Sequence, residues 1–342
     1  MPAARTRLCA LVRVLARPRF IPGFVCTGGA RVARGHRGDR YDPPGNTGNL
    51  RPWQGSAGLE GAPVDDRAPN PSPLHGDAPE EWAPTGIDVT VPSIARVYDA
   101  VLGGKDNFPV DRAIAQQSQD IVPEIGDVAR YNRDILGRAV RTMAKAGITQ
   151  FLDLGSGLPT VQNTHQVAQE VNPDAKIVYV DIDPIVLAHG RAILAENANT
   201  TVVTADLRDP KAVLDLPAVR DFIDFDQPIG LMLVGVIHHL GDDEGPEAIV
   251  RDYLAALPAG SYFLLTHFCA SSPDALALEG ALLTSLGTGR FRTLEEITAY
   301  FEGTELLEPG VVYLPEWRPD APVPASLTVG QRLMAGGLAI KH

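Results

Sequence analysis

The chain has 342 residues, 44% hydrophobic and 21% charged, with a formal net charge of −12. That is enough apolar sequence for one large or two modest domains. No run of about 18 apolar residues offers a membrane span, and three cysteines (Cys9, Cys26, Cys269) exclude a disulfide framework. Charge is uneven: residues 1–51 carry ten arginines, no lysine and two acids, a balance of +8, so the rest must carry −20. An acidic body argues against nucleic acid as partner, because neutralising phosphates needs a basic surface. A cytoplasmic protein acting on a small molecule, with no membrane association, is the expectation.

Residues 1–81 do not read as a folded unit. Thirteen of the 29 prolines fall between residues 1 and 92, and residues 35–80 are dense in Gly, Pro, Asp and Arg. Such a composition cannot bury enough apolar surface to offset chain entropy. Leu8 to Ala16 is apolar but interrupted by Arg13 and followed by Arg17, a poor signal peptide. Three readings stand: a disordered basic tail, a targeting segment, or sequence upstream of the native start.

Periodicity begins near Trp82, and residues 82–147 read as a helical cap or lid. Ser93 is placed to cap a short helix with Ile94, Val97, Tyr98, Val101 and Leu102 on one face, closed by Gly103-Gly104. Lys105 to Phe108 forms a polar connector, and Pro109 opens the next helix. A longer helix, from about Asp127 to Ala146, carries Val128, Tyr131, Ile135, Leu136, Val140 and Met143 on a broad apolar face and stops at Gly147.

From residue 148 onward, strands and helices alternate. Strands are expected at 150–154, 176–181, 201–205, 229–237 and 262–267. Helices are expected at 161–171, 184–197, 244–257, 274–286 and 293–301. Segments 311–314 and 327–340 read as two closing strands forming an antiparallel edge pair. Continuously apolar strands in regular alternation with helices imply an α/β, doubly wound parallel sheet covered on both faces. Ligands of such sheets bind beyond the carboxyl ends of the strands.

Four strand ends present polar groups in series. The first runs from Asp153 into a turn of Gly155, Ser156 and Gly157. A third glycine, as in dinucleotide loops, would fall at Thr160, and a phosphate gains nothing from Asp153. A carboxylate two residues before the first glycine suits a cationic ligand instead, such as S-adenosylmethionine. The second strand ends at Asp181, where a carboxylate can accept both ribose hydroxyls, with Ile182 to pack on adenine. The third ends at Asp206, able to accept the adenine amino proton, with Leu207 to cover the other face. The fourth ends in Gly235-Val236-Ile237-His238-His239. Each acid alone is as readily a loop or helix cap, and Asp183 reads as an N-cap before Pro184. Adjacent histidines point in different directions, and no metal-ligand spacing completes a site around them. Arg130, Asn132 and Arg133 form a polar helix face from which one side chain could pair with the methionine carboxylate; Arg130 is taken as that residue.

These residues carry a resemblance. The chain resembles the S-adenosylmethionine-dependent methyltransferase family common in actinomycetes and long known as a domain of unknown function, over roughly Trp82 to Lys341. The most specific segment is Pro92 to Phe108 (PSIARVYDAVLGGKDNF). Further matches are Ala129 to Arg133, Phe151 to Thr160, Val178 to Pro184 and Ala205 to Pro210. The resemblance implies a class I methyltransferase (Rossmann-like) fold, a seven-stranded sheet with its last strand antiparallel, and S-adenosylmethionine as methyl donor. It places Asp153, Gly155, Gly157, Asp181 and Asp206 at the cofactor, whereas Ser156, Ile182, Leu207 and Val236 join them from their strand-end positions. Members often carry a single histidine before an aromatic residue in the fourth-strand motif, and His239 departs from that. They also usually start shortly before the equivalent of Trp82.

Methyl transfer from a sulfonium is an in-line displacement needing mostly position. If the acceptor atom is protonated, a base is required; His238 and His267 are candidates, with Tyr98 or Lys105 entering from the cap. Two rival readings are a catalytically silent S-adenosylmethionine-binding regulator and an NAD-dependent oxidoreductase.

Overall fold

The computed structural model describes residues 87–342 except 161, 195 and 196. The expectations for residues 1–81, and for an ordered start at Trp82, lie outside the described residues.

The core is a sheet of eight strands in the order β3-β2-β1-β4-β5-β8-β6, with β7 also paired to β8. Strands β1 (Gln150–Leu154), β2 (Lys176–Asp181), β3 (Thr200–Thr204), β4 (Gly230–Val234) and β5 (Tyr262–Phe268) are mutually parallel. β8 (Met334–Ile340) inserts antiparallel beside β5. Beyond it lie β6 (Glu305–Leu306) and β7 (Val312–Tyr313), both antiparallel to β8. The two are short pieces of one broken edge strand, which raises the count from the expected seven to eight. The closing strand is also shorter than expected: Gly330–Arg332 forms a 3-10 turn, and pairing starts only at Met334.

Side-chain parity explains the two-faced burial. Phe151, Ile177, Met232 and Leu264 pack into one cluster, while Leu152, Val178, Leu231 and Leu265, one position along each strand, pack into the other. All of these are fully buried, each contributing about 1.5–3 kcal/mol of burial free energy.

Helices α4 (Thr164–Val171), α5 (Pro184–Leu194), α8 (Pro246–Ala256), α9 (Pro273–Ser285) and α10 (Leu294–Ala299) alternate with the strands as expected. Two short helices that the sequence did not announce, α6 (Pro210–Asp215) and α7 (Pro217–Arg220), fill the link before β4; each begins at a proline.

Among the described residues three helices precede β1: α1 (Ile94–Val101), α2 (Pro109–Ile121) and α3 (Ile125–Lys145). A buried ion pair joins the first two. Arg96 Nε donates to Asp111 Oδ2 at 2.9 Å, and both side chains are almost completely covered. The same Asp111 accepts from the Phe108 amide (2.9 Å) at the start of α2 and from the Ser93 amide (3.0 Å) at the start of α1. Asp99 fastens the connector, accepting from the Asp106 amide at 2.9 Å and Asn107 Nδ2 at 2.8 Å. A Cβ on Gly104 would lie 2.0 Å from Asp99 Oδ1, so glycine is required where the carboxylate folds over the turn. Ser93 occupies the N-cap position of α1, but its hydroxyl donates to Asp183 rather than to its own helix. Asp183 in turn caps α5, its Oδ1 accepting from the Ile185 amide at 3.0 Å.

Candidate functional site

A cavity of ≈ 660 Å³ opens at the carboxyl ends of β1–β4, beneath α1 and α3. Its volume falls within the range of about 300–1,000 Å³ typical of small-molecule sites.

One half is built from strand tips. Gly155 (φ +70°) and Gly157 (φ +66°) turn the chain out of β1. The amides of Gly155 and Ser156 donate to the Val180 carbonyl at 2.7 and 3.2 Å. The Gly157 amide donates to Asp181 Oδ2 at 2.8 Å, while Asp181 Oδ1 accepts from the Asp183 amide at 2.9 Å. Burial raises the Asp181 pKa, opposed by these bonds. Asp153 is deeper, 4% exposed, and accepts from Thr164 Oγ1 at 2.7 Å. Burial pushes its pKa up to about 6, against the pull of the Thr164 hydrogen bond and Arg133. Ile182 is 57% exposed at the rim, as an open platform.

Asp206 and Leu207 also line the cavity. The Asp206 carboxylate is held by Arg208, whose Nε and Nη2 both reach it, and whose Nη1 donates to Glu244 at 2.9 Å. Those bonds lower the Asp206 pKa. The Arg208 clamp is a site feature that sequence reasoning missed; Arg two residues after the acid was its one visible signal.

The other half is apolar. Val101, Val128, Phe268, Leu278, Leu282 and Met334 line it, drawn from α1, α3, β5, α9 and β8. Its ring nitrogens come from histidines, and the other polar side chains lining it, Ser118, Asn132 and Thr288, are each already hydrogen-bonded within the protein. His238 is 2% exposed, its ring 4.4 Å from His239, 5.4 Å from His267 and 4.5 Å from Phe268. Burial, then the neighbouring His239, His267 and Arg292, hold its pKa well below the ordinary imidazole value. His239 Nδ1 pairs with Thr288 Oγ1 at 3.0 Å, and burial lowers its pKa to about 4. Among the described residues, no group of three or more His, Cys, Asp or Glu forms a metal-ligand set.

Of the residues expected at the site, Asp153, Gly155, Ser156, Gly157, Asp181, Ile182, Asp206, Leu207, Val236, Tyr98 and His238 line this one cavity. Three expectations need correction. Arg130 is not in the lining; its guanidinium turns to Asp127 one turn back, and its side chain is 61% exposed. Arg133, three positions along α3, is the α3 arginine that lines the cavity, where Nη2 also donates to the Gln162 carbonyl at 3.0 Å.

His267 is likewise outside the lining and fully buried. Phe268 faces the cavity, so parity sends His267 to the opposite face of β5. There Nδ1 donates to the Phe268 carbonyl at 2.7 Å, Nε2 accepts from Arg292 Nη1 at 3.2 Å, and burial depresses the pKa to about 3. Neither nitrogen is left for a substrate. Lys105 is exposed on the connector and does not reach the cavity. Tyr98 stays in the wall, but its hydroxyl donates to the Ala129 carbonyl at 3.1 Å, and burial raises its pKa.

The residues present fit an adenosyl cofactor with a cationic centre. The space around Gly157 is open where a Cβ would project, Ser156 Oγ is buried without a partner among the described residues, and two buried carboxylates flank the loop. A twisted sheet with this strand order, its antiparallel strand beside β5, and this loop after β1 define a class I methyltransferase fold that takes S-adenosylmethionine.

A family model described as S-adenosyl methyltransferase matches residues 80–342, and the chain belongs to that family. A solved structure from Thermobifida fusca YX, described as a candidate methyltransferase, is 52% identical, with a TM-score of 0.74 over 76% of this chain and 98% of that one. A DUF574 family protein from Streptomyces avermitilis is 36% identical, with a TM-score of 0.71 over 75% of this chain and 99% of that one. No match was found among curated proteins. Among the described residues no helix is long and apolar enough to cross a membrane.

Proposed function

We propose that the protein transfers the methyl group of S-adenosylmethionine in line to a small-molecule acceptor held in the apolar half of the cavity. The observation that carries this reading is the convergence of Asp153, Asp181, Asp206 and the glycine loop on a single cavity. When bound, the cofactor supplies an electrophilic methyl carbon and a sulfur leaving group.

The chain's own residues do the rest. Asp181 presents lone pairs to the ribose while the Gly157 and Asp183 amides hold its orientation. Ile182 and Leu207 enclose the adenine, and Val236 backs the loop. Asp206 reaches the adenine edge by exchanging its Arg208 contact. Asp153, with a pKa near neutrality, answers the cationic amino-acid end, and Arg133 takes the place expected of Arg130 at the carboxylate. Residues 87–147 act as a cap over the domain from 148 to 342, closing water out of the reaction space. His238 is the one expected catalytic side chain that keeps a place at the cavity with no hydrogen bond on its ring among the described residues.

Isothermal titration with S-adenosylhomocysteine tests the cofactor half of this reading, and micromolar or tighter binding is expected. A thermal-shift comparison with NAD separates it from an oxidoreductase, because only a true ligand stabilises the folded form by mass action. The regulator reading draws on the internal hydrogen bonds of Tyr98 and His267. Release of S-adenosylhomocysteine from S-adenosylmethionine across a metabolite library distinguishes an enzyme from it.

A further inference from the structure

We infer that the acceptor is an uncharged, predominantly apolar small molecule bearing one hydroxyl, seated against α9 with that hydroxyl bonded to His238. The inference rests on the methyl-transfer reading above and specifies its substrate class.

The cavity lining divides sharply by charge. Every charged residue in it comes from residues 88–96, from Arg133, from the tips of β1–β3 and the residues just after them, or from Glu244. The rest of the wall offers no acid, lysine or arginine. Val101, Val128, Leu278, Leu282 and Met334 provide it, and all belong to or pack on a single hydrophobic cluster of the core. A phosphate, carboxylate or ammonium on the buried part of an acceptor would lose its hydration there and find no counter-charge. A sugar or peptide would leave several hydroxyls or amides unpaired against the same wall.

One polar side chain interrupts this surface without being satisfied. His238 is 2% exposed and lines the cavity, and among the described residues no hydrogen bond reaches either ring nitrogen. Nδ1 is sealed from solvent, which leaves Nε2 for a ligand. Buried polar groups are normally paired, so an orphan imidazole in a cavity wall marks where a bound partner supplies the bond. The ring cannot turn freely, wedged between His239, His267 and Phe268. His239 is occupied with Thr288 and His267 with Arg292 and the Phe268 carbonyl. A single free hydrogen-bonding position in an apolar chamber matches a molecule with a single buried hydroxyl. Leu278, Leu282 and Leu286, spaced four apart along and just past α9, then set how large its apolar body can be.

The test uses the full chain saturated with S-adenosylhomocysteine and reads binding by calorimetry. The probes are phenol, 2-naphthol and 7-hydroxycoumarin, with 6-hydroxy-2-naphthoate as the charged counterpart and naphthalene as the counterpart lacking the hydroxyl. A neutral hydroxyarene is expected to bind at least tenfold tighter than 6-hydroxy-2-naphthoate. Leu286→Trp, at the less covered end of the wall, should weaken that probe at least tenfold and leave S-adenosylhomocysteine affinity unchanged. His238→Phe should cost 2-naphthol about tenfold, the worth of one buried hydrogen bond, and naphthalene nothing. Equal or tighter binding of the naphthoate, or no binding by any neutral probe to the loaded protein, overturns the acceptor assignment alone. Failure of S-adenosylhomocysteine itself to bind overturns the methyl-transfer reading, and this inference with it.

Discussion

Gly155 and Val236 touch with no room for a side chain between them: a Cβ on Gly155 would lie 2.3 Å from Val236 Cγ2. The loop after β1 and the segment after β4 therefore meet backbone against side chain, and their closeness shapes the floor of the cofactor half. Gly155→Ala meets two penalties, the contact and a left-handed φ of +70°. A left-handed alanine costs about 1–2 kcal/mol, and the overpacking about 1–3 kcal/mol more. S-adenosylhomocysteine affinity is expected to fall at least tenfold, measured by calorimetry. Gly157→Ala, with open space around it, should cost less stability in the same protein.

Asp181→Ala removes the acceptor for two amides and for the ribose. Loss of charge-assisted hydrogen bonds costs about 1.5–3 kcal/mol, or about 10- to 100-fold in affinity. Unchanged S-adenosylhomocysteine binding in the variant would remove Asp181 from the cofactor site.

Asp153 predicts a pH dependence of cofactor binding. Its folded-state pKa of about 6 means that the carboxylate is charged at neutral pH and becomes protonated as the pH falls through 6. A cationic ligand prefers the charged form, so affinity should weaken below pH 6 and binding there should release a proton. Calorimetry in buffers of different ionisation enthalpy counts that proton, and Asp153→Asn should abolish it.

The histidines govern acid stability. His239 and His267 have folded-state pKa values of about 4 and about 3, below the ordinary value of about 6.5. Between those limits the unfolded chain binds more protons, so stability is full above pH 6.5 and declines as the pH falls towards 3. Asp153, shifted upward, works in the opposite sense between about 4 and 6. His267→Gln should flatten the decline in chemical denaturation measured from pH 7 to pH 4.

Arg130→Ala tests the corrected assignment on α3. Its pair with Asp127 is exposed, and such pairs are worth about 0–1 kcal/mol. Melting temperature and S-adenosylhomocysteine affinity should barely move, whereas Arg133→Ala should weaken binding at least tenfold.

What the chain disclosed in advance follows from where the physical signal is local. Strands β1, β2, β4 and β5 are buried over nearly their whole length and so appear as largely apolar runs, whereas β3, at the end of the sheet and partly exposed, shows instead as a β-branched run. The acids near the ends of β1 and β2 and after β3 stand at positions that any parallel sheet gathers. The edge strand was blurred because two-residue pieces, Glu305–Leu306 and Val312–Tyr313, carry no period. Arg130 and Arg133 could not be separated by spacing, since which one meets the cavity depends on how α3 is rotated against the sheet. His267 was misplaced for a readable reason: Phe268 and His267 must face opposite ways, and only the packing of α9 shows which side holds the cavity. The leucines of α9 were invisible as chamber walls because a helix repeat of Leu278 and Leu282 looks the same whether its neighbour is core or ligand.

Ser93 stands at the N-cap of α1 and Tyr98 lies within the helix, little more than one turn further on. The first bonds Asp183 beside the cofactor half, and the second stands in the wall that α1 shares with the acceptor half. A helix of two turns moves as one piece, so whatever fastens its beginning also steadies its middle. Occupancy of either compartment then carries over to the other. Each ligand should raise the affinity of its companion by the same factor, as reciprocal linkage demands.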